Sequence, residues 1–148
     1  AFLENRSTSE NITGPIVSTS GKVLGRHKGL FRYTIGQRKG LGISSETPLY
    51  VVGLDATGNR VIVGRNEELF SKKICVQKLH WISDNIPDTS TDYLVRIRYS
   101  HKGSLARLVL NDLGGGDIIF HEAQRAVTPG QFAVIYQGTE LLGSGIIL

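Results

Sequence analysis

Apolar and polar residues alternate in short runs along most of the chain, and few stretches repeat with the period of an amphipathic helix. Turn-forming residues stand between these runs, including many of the 18 glycines. This arrangement is typical of β-strands that each bury one face. The sequence therefore predicts an all-β protein.

The first half of the chain predicts two β-hairpins. Residues 14–27 form apolar runs on either side of Ser20 and Gly21, a pair that favours a tight turn. Two further alternating runs lie on either side of a turn at residues 56–58. We expect the two hairpins to form a small central β domain at residues 13–68.

The second half predicts a six-stranded barrel. After the polar segment 66–72, which is the predicted linker, come six strand-like segments at 72–82, 92–100, 104–112, 117–122, 132–138 and 140–148. Turn-rich residues join the third segment to the fourth and the fifth to the sixth, which predicts two hairpins. Residues 122–126 fit either a strand or a turn. We expect a closed barrel at residues 72–148, because closure leaves no exposed strand edge.

Length and composition limit the class of protein. With 148 residues, 40% of them hydrophobic, the chain can bury a modest core, and no apolar run approaches the roughly 20 residues of a membrane helix. Residues 1–12 show no signal-peptide pattern, and we expect an artificial edge or a linker that is poorly ordered. One cysteine and four scattered histidines predict neither a disulfide nor a zinc site. We therefore expect a reducing compartment, by default the cytoplasm, with no metal and no membrane partner.

Cys75 stands between two aliphatic residues in a strand-like run. A reactive thiol needs exposure and positive surroundings that lower its pKa. Lys72 and Lys73 are near in sequence, but a cysteine in such a run is more typical of a small buried hydrophobe. In the same way we interpret His80 and His121 as packed or solvated side chains, and the single tryptophan as part of the core.

The excess of positive charge lies in the first half. Residues 13–65 contain eight basic and two acidic residues, whereas residues 72–148 contain eight basic and seven acidic ones, and the whole chain has a net charge of +4. This distribution favours a polyanionic partner for the first half. A basic stretch is also typical of a solvated face, so the charge alone does not decide the function.

Residues 25–42, here called the basic loop, carry the most informative pattern. Five glycines interrupt the segment and predict a loop surface that a ligand can approach closely. Basic side chains on such a loop supply phosphate contacts, and tyrosine or histidine can stack on unpaired bases. The residues of this loop that we predict to bind RNA are Arg26, His27, Lys28, Arg32, Tyr33, Gln37, Arg38 and Lys39. A glycine-rich connector whose charges only keep it soluble explains the spacing equally well.

A second basic strip is predicted in the barrel. Arg96 and Arg98 alternate with aliphatic residues, so both point to the same face of one strand, and Lys102 follows them. The strip is a candidate RNA-backbone contact. The near balance of charge in this half favours the other interpretation, in which the strip pairs with the acidic side chains of Asp112, Asp117 or Glu122.

No complete catalytic constellation is present. The basic loop has neither the spacing nor the strand-to-helix setting of a phosphate-binding P-loop, and residues 114–116 are interpreted as a hairpin turn. No GxSxG nucleophile elbow occurs. The residues alone therefore predict neither an ATP site nor a catalytic site.

The segment from His27 to Gly42 resembles the signature H-x-G-x-x-x-Y-T-x-G-Q-R-K-G-L-G of the tRNA-specific 2-thiouridylases. Further matches to that family follow in order at residues 48–52, 79–81, 96–99, 126–131, 133–136 and 142–146. The first match is long and specific, and the matches together span nearly everything from Gly14 onward. An older name of this family describes a tRNA (5-methylaminomethyl-2-thiouridylate)-methyltransferase, although nothing in the chain suggests methyl transfer.

The resemblance implies a parent protein of three parts: an ATP-pyrophosphatase domain, a small central domain and a C-terminal barrel like those of elongation factors. This chain would hold the last two. In the family, ATP with magnesium adenylates C2 of the wobble uridine in tRNAs for Lys, Glu and Gln, and persulfide sulfur then gives 2-thiouridine. The partners implied are tRNA and a sulfur-relay protein or cysteine desulfurase.

The chain also departs from the family pattern. The SGGxDS nucleotide-binding motif and the catalytic cysteine pair are absent, and Cys75 occupies a position of ordinary strand residues, so no catalytic residue and no cofactor is expected here. We therefore expect a tRNA-binding part that is inactive alone. The alternatives are a free-standing β-barrel module that docks on a protein, and a barrel that holds a small ligand in an apolar lumen.

Overall fold

The computed structural model describes residues 12–82, 87–98 and 102–148. Every regular element in these ranges is a β-strand or a short 3-10 turn, which confirms the predicted all-β class. The chain divides into two compact units, Ala1–Leu69 and Phe70–Leu148. No helix in the described ranges is long and apolar enough to cross a membrane. The expected disorder of residues 1–12 concerns a segment that lies, except for Ile12, outside the described residues.

The first unit is a four-stranded sheet. Its strands are β1 (Gly14–Ser18), β2 (Val23–His27), β3 (Tyr50–Asp55) and β4 (Arg60–Gly64), in the order β2-β1-β4-β3. Both predicted hairpins are confirmed, since β1 pairs antiparallel with β2 and β3 with β4. The hairpins are joined by parallel pairing of β1 with β4, which aligns Ile16 with Val61. Their shared core contains Ile16, Leu41, Val51, Val61 and Val63.

The predicted linker, residues 66–72, contains the division between the two units and has regular structure. Residues Asn66–Leu69 form a 3-10 turn, and strand β5 begins at Phe70. The carboxylate of Glu68 accepts the backbone N–H of Arg65 at 2.6 Å and the hydroxyl of Thr19 at 2.9 Å. The polar side chain of Glu68 therefore stabilises a turn within the first unit. Polar composition alone does not distinguish such a turn from a linker.

The second unit is a closed six-stranded antiparallel barrel, as predicted. The strands are β5 (Phe70–Trp81), β6 (Asp92–Arg96), β7 (Ser104–Leu110), β8 (Gly116–Arg125), β9 (Phe132–Gln137) and β10 (Glu140–Ile147). They follow each other round the barrel in the order β10-β5-β8-β7-β6-β9. The hairpins β7–β8 and β9–β10 are confirmed. Of residues 122–126, which fitted either a strand or a turn, residues 122–125 belong to strand β8.

Side chains fill the interior of the barrel. Val95 and Ala106 are 0% exposed, Leu108, Ile118 and Ile135 are 1% exposed, and the single tryptophan packs against this cluster as predicted. Small barrels of this kind are packed cores and not ligand cavities. The structure therefore gives no support to the small-ligand alternative.

Candidate nucleic-acid interface

The basic loop begins in the last residues of β2 and forms most of the connection between the two hairpins of the first unit. The chain leaves β2 at His27, makes a 3-10 turn at Leu30–Arg32 and enters β3 at Tyr50. Most of its apolar side chains pack on the core of the sheet, with Leu41 only 7% exposed, whereas Phe31 is exposed. Because most apolar side chains take the inner side of the loop, its charged side chains are left on the outer side.

Hydrogen bonds fix the middle of the loop to β3. The backbone N–H of Gly36 donates to Val51 at 2.8 Å, and the N–H of Val51 donates to the carbonyl of Gln37 at 2.9 Å. The side chain of Gln37 accepts the N–H of Thr34 at 3.0 Å and donates to the carbonyl of Lys39 at 2.9 Å. Gln37, a predicted RNA contact, is thus occupied in holding the shape of the loop, which presents Arg38 at a turn.

His27 lies in the interior and not on the loop surface. Its side chain is 1% exposed, its Nδ1 accepts the N–H of Gly29 at 3.0 Å, and its Nε2–H donates to the carbonyl of Asn59 at 2.8 Å. The ring meets that of Tyr33 edge-on, at 5.9 Å between centroids. The burial of the ring and the engagement of its two nitrogens do not favour the predicted stacking of His27 on a base, and its predicted contact with RNA stays a prediction. Tyr33 remains half-buried, and its predicted contact with RNA stays a prediction.

The outer surface of the loop is cationic. Five basic side chains are exposed there: Arg26, Lys28, Arg32, Arg38 and Lys39. Within the described ranges none of them forms an ion pair, since the salt bridges join other residues. Arg32 lies 5.4 Å from the centre of the Phe31 ring, and Arg26 donates to the Thr13 hydroxyl at 3.4 Å. The positive charge of this loop is therefore available to an anionic partner.

The second basic strip lies on the outside of the barrel. Val95 and Ile97 point inward, at 0% and 2% exposure, which leaves Arg96 half-buried and Arg98 exposed on the opposite side of the strand. Arg98 donates to the backbone carbonyl of Arg125 at 2.7 Å, whereas we predicted pairing with a carboxylate. Lys102 is exposed.

A cleft of about 480 Å³ runs beside this strip. Arg96 and Arg98 line it together with residues that the sequence analysis missed, Gln131, Phe132 and Tyr136. The aromatic residues could have been found from the alternation along β9, where Ala133 and Ile135 are buried and their neighbours therefore face outward.

Two family models together match nearly the whole chain. One, described as the tRNA methyl transferase PRC-barrel domain, matches residues 1–65, and the other, described as the Aminomethyltransferase beta-barrel domain, matches residues 71–147. Relatives named tRNA-specific 2-thiouridylase MnmA match across both of these parts of the chain. The relative from Desulfotalea psychrophila is 50% identical over 147 residues, which cover 99% of this chain and 43% of the relative. The chain belongs to the tRNA-specific 2-thiouridylase family.

Further relatives with the same name match over a similar part of their length. The relative from Halothermothrix orenii is 43% identical over 99% of this chain and 41% of its own length, and that from Magnetococcus marinus is 41% identical over 100% of this chain and 41% of its own. The chain thus spans about two fifths of the length of the 2-thiouridylases that it matches, and it corresponds to the family's central and C-terminal domains.

Cys75 is exposed and not buried as we predicted. It alternates with Ile74 and Val76, which point into the barrel at 4% and 3% exposure, so its own side chain points outward. Asp117 stands opposite on β8. The thiol's hydrogen bond to the Asp117 carboxylate raises the pKa of Cys75, and desolvation adds to this, while Lys73 acts in the opposite direction. A raised pKa leaves little thiolate at neutral pH, which fits a cysteine without a nucleophilic role.

We expect Asp117→Asn to make Cys75 react faster. The substitution removes the carboxylate that holds the proton on sulfur, so the pKa of the thiol falls and the thiolate fraction rises. Alkylation by iodoacetamide at pH 8, followed by mass spectrometry, should be roughly two- to tenfold faster than in the wild type. Asp112→Asn, in the exposed turn between β7 and β8, is the matched control. Equal rates in all three proteins would show that Asp117 does not control this thiol.

Proposed function

We propose that these two units form the tRNA-holding part of a tRNA 2-thiouridylase. The observation that carries the proposal is the cationic outer surface of the basic loop, where five exposed side chains have no carboxylate partner in the described ranges. Phosphate contacts from such side chains supply most of the affinity of proteins for nucleic acids. The family membership supports tRNA as the nucleic acid.

In this proposal the loop orients the RNA and takes no part in bond making. Arg26, Lys28, Arg32, Arg38 and Lys39 neutralise phosphates of the anticodon arm, while Tyr33 borders the target base and Gln37 holds the loop in shape. The barrel strip, Arg96, Arg98 and Lys102, contacts the RNA backbone at a second place. Chemistry on a base requires that the base is unstacked and held, which gives a dedicated holding part a physical purpose.

The reaction itself we assign to the remainder of a longer parent protein, which makes 2-thiouridine at the wobble position of tRNAs for Lys, Glu and Gln in the cytoplasm. There ATP with magnesium activates the uridine, and persulfide sulfur arrives from a cysteine desulfurase or a sulfur-relay protein. In the described ranges no group of three His, Cys, Asp or Glu side chains converges. We assign the magnesium to the part that holds the ATP, and we expect the chain alone to be inactive.

The alternative is a free-standing module that docks on a protein. The relatives argue against a free-standing barrel, because each of those described above matches across both units of this chain. In the alternative, the basic loop serves only solubility and has no preferred polyanion.

A filter-binding comparison separates the two functions. The chain is titrated with tRNA and with heparin, an acidic polymer without bases, at several salt concentrations. We expect the chain to prefer tRNA at equal charge, and its affinity for tRNA to fall as salt rises, because counterions are released on binding. Equal affinity for both polymers would favour the docking module.

A further inference from the structure

A polar cleft borders the basic loop at the segment that follows it. The cleft has a volume of about 240 Å³, and polar atoms make up most of its lining. Its polar groups come from Arg38, Ser45 and Thr47 and from the backbone around Gly40 and Gly42. The volume is below the range of about 300 to 1,000 Å³ that drug-sized ligands occupy, so the cleft suits a single small polar group.

The charge of the cleft favours an anion. Arg38 is exposed and forms no ion pair within the described ranges. The acidic residue nearest in sequence, Glu46, is exposed and does not line the cleft. The hydroxyls of Ser45 and Thr47 carry no hydrogen bond to another described residue, and both can donate to an anionic oxygen.

The backbone of the cleft is open to a ligand. Gly40 and Gly42 have φ angles of 79° and 67°, which L-residues rarely adopt. A Cβ at Gly42 would meet no atom within 4 Å, and one at Gly40 would only reach Gln37 Nε2 at 3.8 Å. Successive backbone N–H groups next to a residue of positive φ can form a concavity that binds anions. Because the space at both glycines is open, a ligand oxygen can approach this backbone without obstruction.

We propose that this cleft is a phosphodiester-binding site, in which the Arg38 guanidinium, the Ser45 and Thr47 hydroxyls and the backbone at Gly40–Gly42 hold one phosphate of an RNA backbone. The identification of the diester as RNA rests on the proposed function, whereas the phosphodiester chemistry does not. The site adds two uncharged hydroxyl residues, Ser45 and Thr47, to the proposed RNA contacts of the basic loop.

Amide chemical shifts of the ¹⁵N-labelled chain test the site without tRNA. The probes are dimethyl phosphate, which mimics a backbone diester, and inorganic phosphate, each titrated at constant ionic strength. We expect dimethyl phosphate to cause saturating shifts at Gly40, Gly42, Ser45 and Thr47. Arg38→Gln should abolish these shifts, and Lys39→Gln, which removes the neighbouring charge outside the cleft, should preserve them. Folding of each variant is read from the dispersion of the same spectrum.

Three outcomes would overturn the site: no localised shift with either probe, shifts with inorganic phosphate alone, or equal losses in the two variants. The tRNA arm then separates the two proposals. The variant with Ser45→Ala and Thr47→Val should keep the salt slope, because no charge is lost, and bind tRNA several-fold more weakly, whereas Arg38→Gln should lower the slope by about 0.7 to 0.9. Dimethyl phosphate shifts in a wild-type chain without salt-dependent tRNA binding would support the cleft and remove the proposed function.

Discussion

Replacing Arg38 and Lys39 with alanine should weaken tRNA binding by about tenfold to a hundredfold at low salt, or about 1.4 to 2.8 kcal/mol. Both side chains are exposed at the turn of the basic loop. The turn is held by the hydrogen bonds of Gln37, so the substitutions remove charge and leave the backbone in place. The affinity for tRNA, measured from 50 to 200 mM salt, should also lose about 1.4 to 1.8 units of slope, since each phosphate contact contributes about 0.7 to 0.9.

A control with the same change in net charge isolates the position of the charges. Lys22 lies in the turn between β1 and β2, Lys72 lies on β5, and both are exposed. The double variant Lys22→Ala and Lys72→Ala should bind tRNA within about threefold of the wild type, because neither side chain belongs to the proposed RNA-binding surface. If both double variants lose affinity equally, binding depends on net charge and the basic loop has no special part in it.

The second large effect concerns His27, which we expect to stabilise the loop from within. His27→Ala leaves a cavity beside Tyr33 and removes the partners of the Gly29 N–H and the Asn59 carbonyl. An unsatisfied buried polar group costs about 1 to 3 kcal/mol, so the free energy of unfolding of the first unit should fall by about 2 to 4 kcal/mol. Hydrogen exchange of the amides in β1 and β4 measures this loss.

Lys28→Ala is the control for this stability effect. Lys28 is adjacent in sequence, but its side chain is exposed, and exposed substitutions usually change stability by less than about 0.5 kcal/mol. Exchange rates in β1 and β4 that respond equally to both substitutions would mean that the burial of His27 contributes nothing. The comparison also distinguishes a residue that stabilises the sheet from one that contacts RNA, because Lys28→Ala should weaken tRNA binding without destabilising the sheet.

The parts of the fold that depend on local sequence could be predicted. Alternation and turn residues gave the hairpins β1–β2, β3–β4, β7–β8 and β9–β10, since the strands of a hairpin are close in sequence and share a turn. The parallel pairing of Ile16 with Val61 could not be predicted in this way, because neither strand carries a local signal for a partner 45 positions away. The start of β5 at Phe70 was missed for a similar reason, since Glu68 closes its turn with Thr19.

The features of the candidate site that depend on local sequence could likewise be predicted, and those that depend on distant residues could not. The charges of the basic loop were visible in the sequence, because exposed lysine and arginine need no partner to be counted. The burial of His27 depends on Asn59, which is 32 residues away, and no spacing rule connects the two. The exposure of Cys75 could have been predicted from the sequence, because strict alternation with Ile74 and Val76 places its side chain outside the barrel.

The central claim is that the basic loop is the surface that grips RNA, and mapping an RNA stem-loop onto the chain tests it most directly. Amide spectra of the ¹⁵N-labelled chain are recorded with an anticodon stem-loop of tRNA at low salt. We expect the amide signals of Lys28, Arg32 and residues 38–42 to shift or broaden first, and these changes to be reversed when the salt concentration is raised. Shifts that leave these residues unchanged while the chain binds the RNA elsewhere would contradict it.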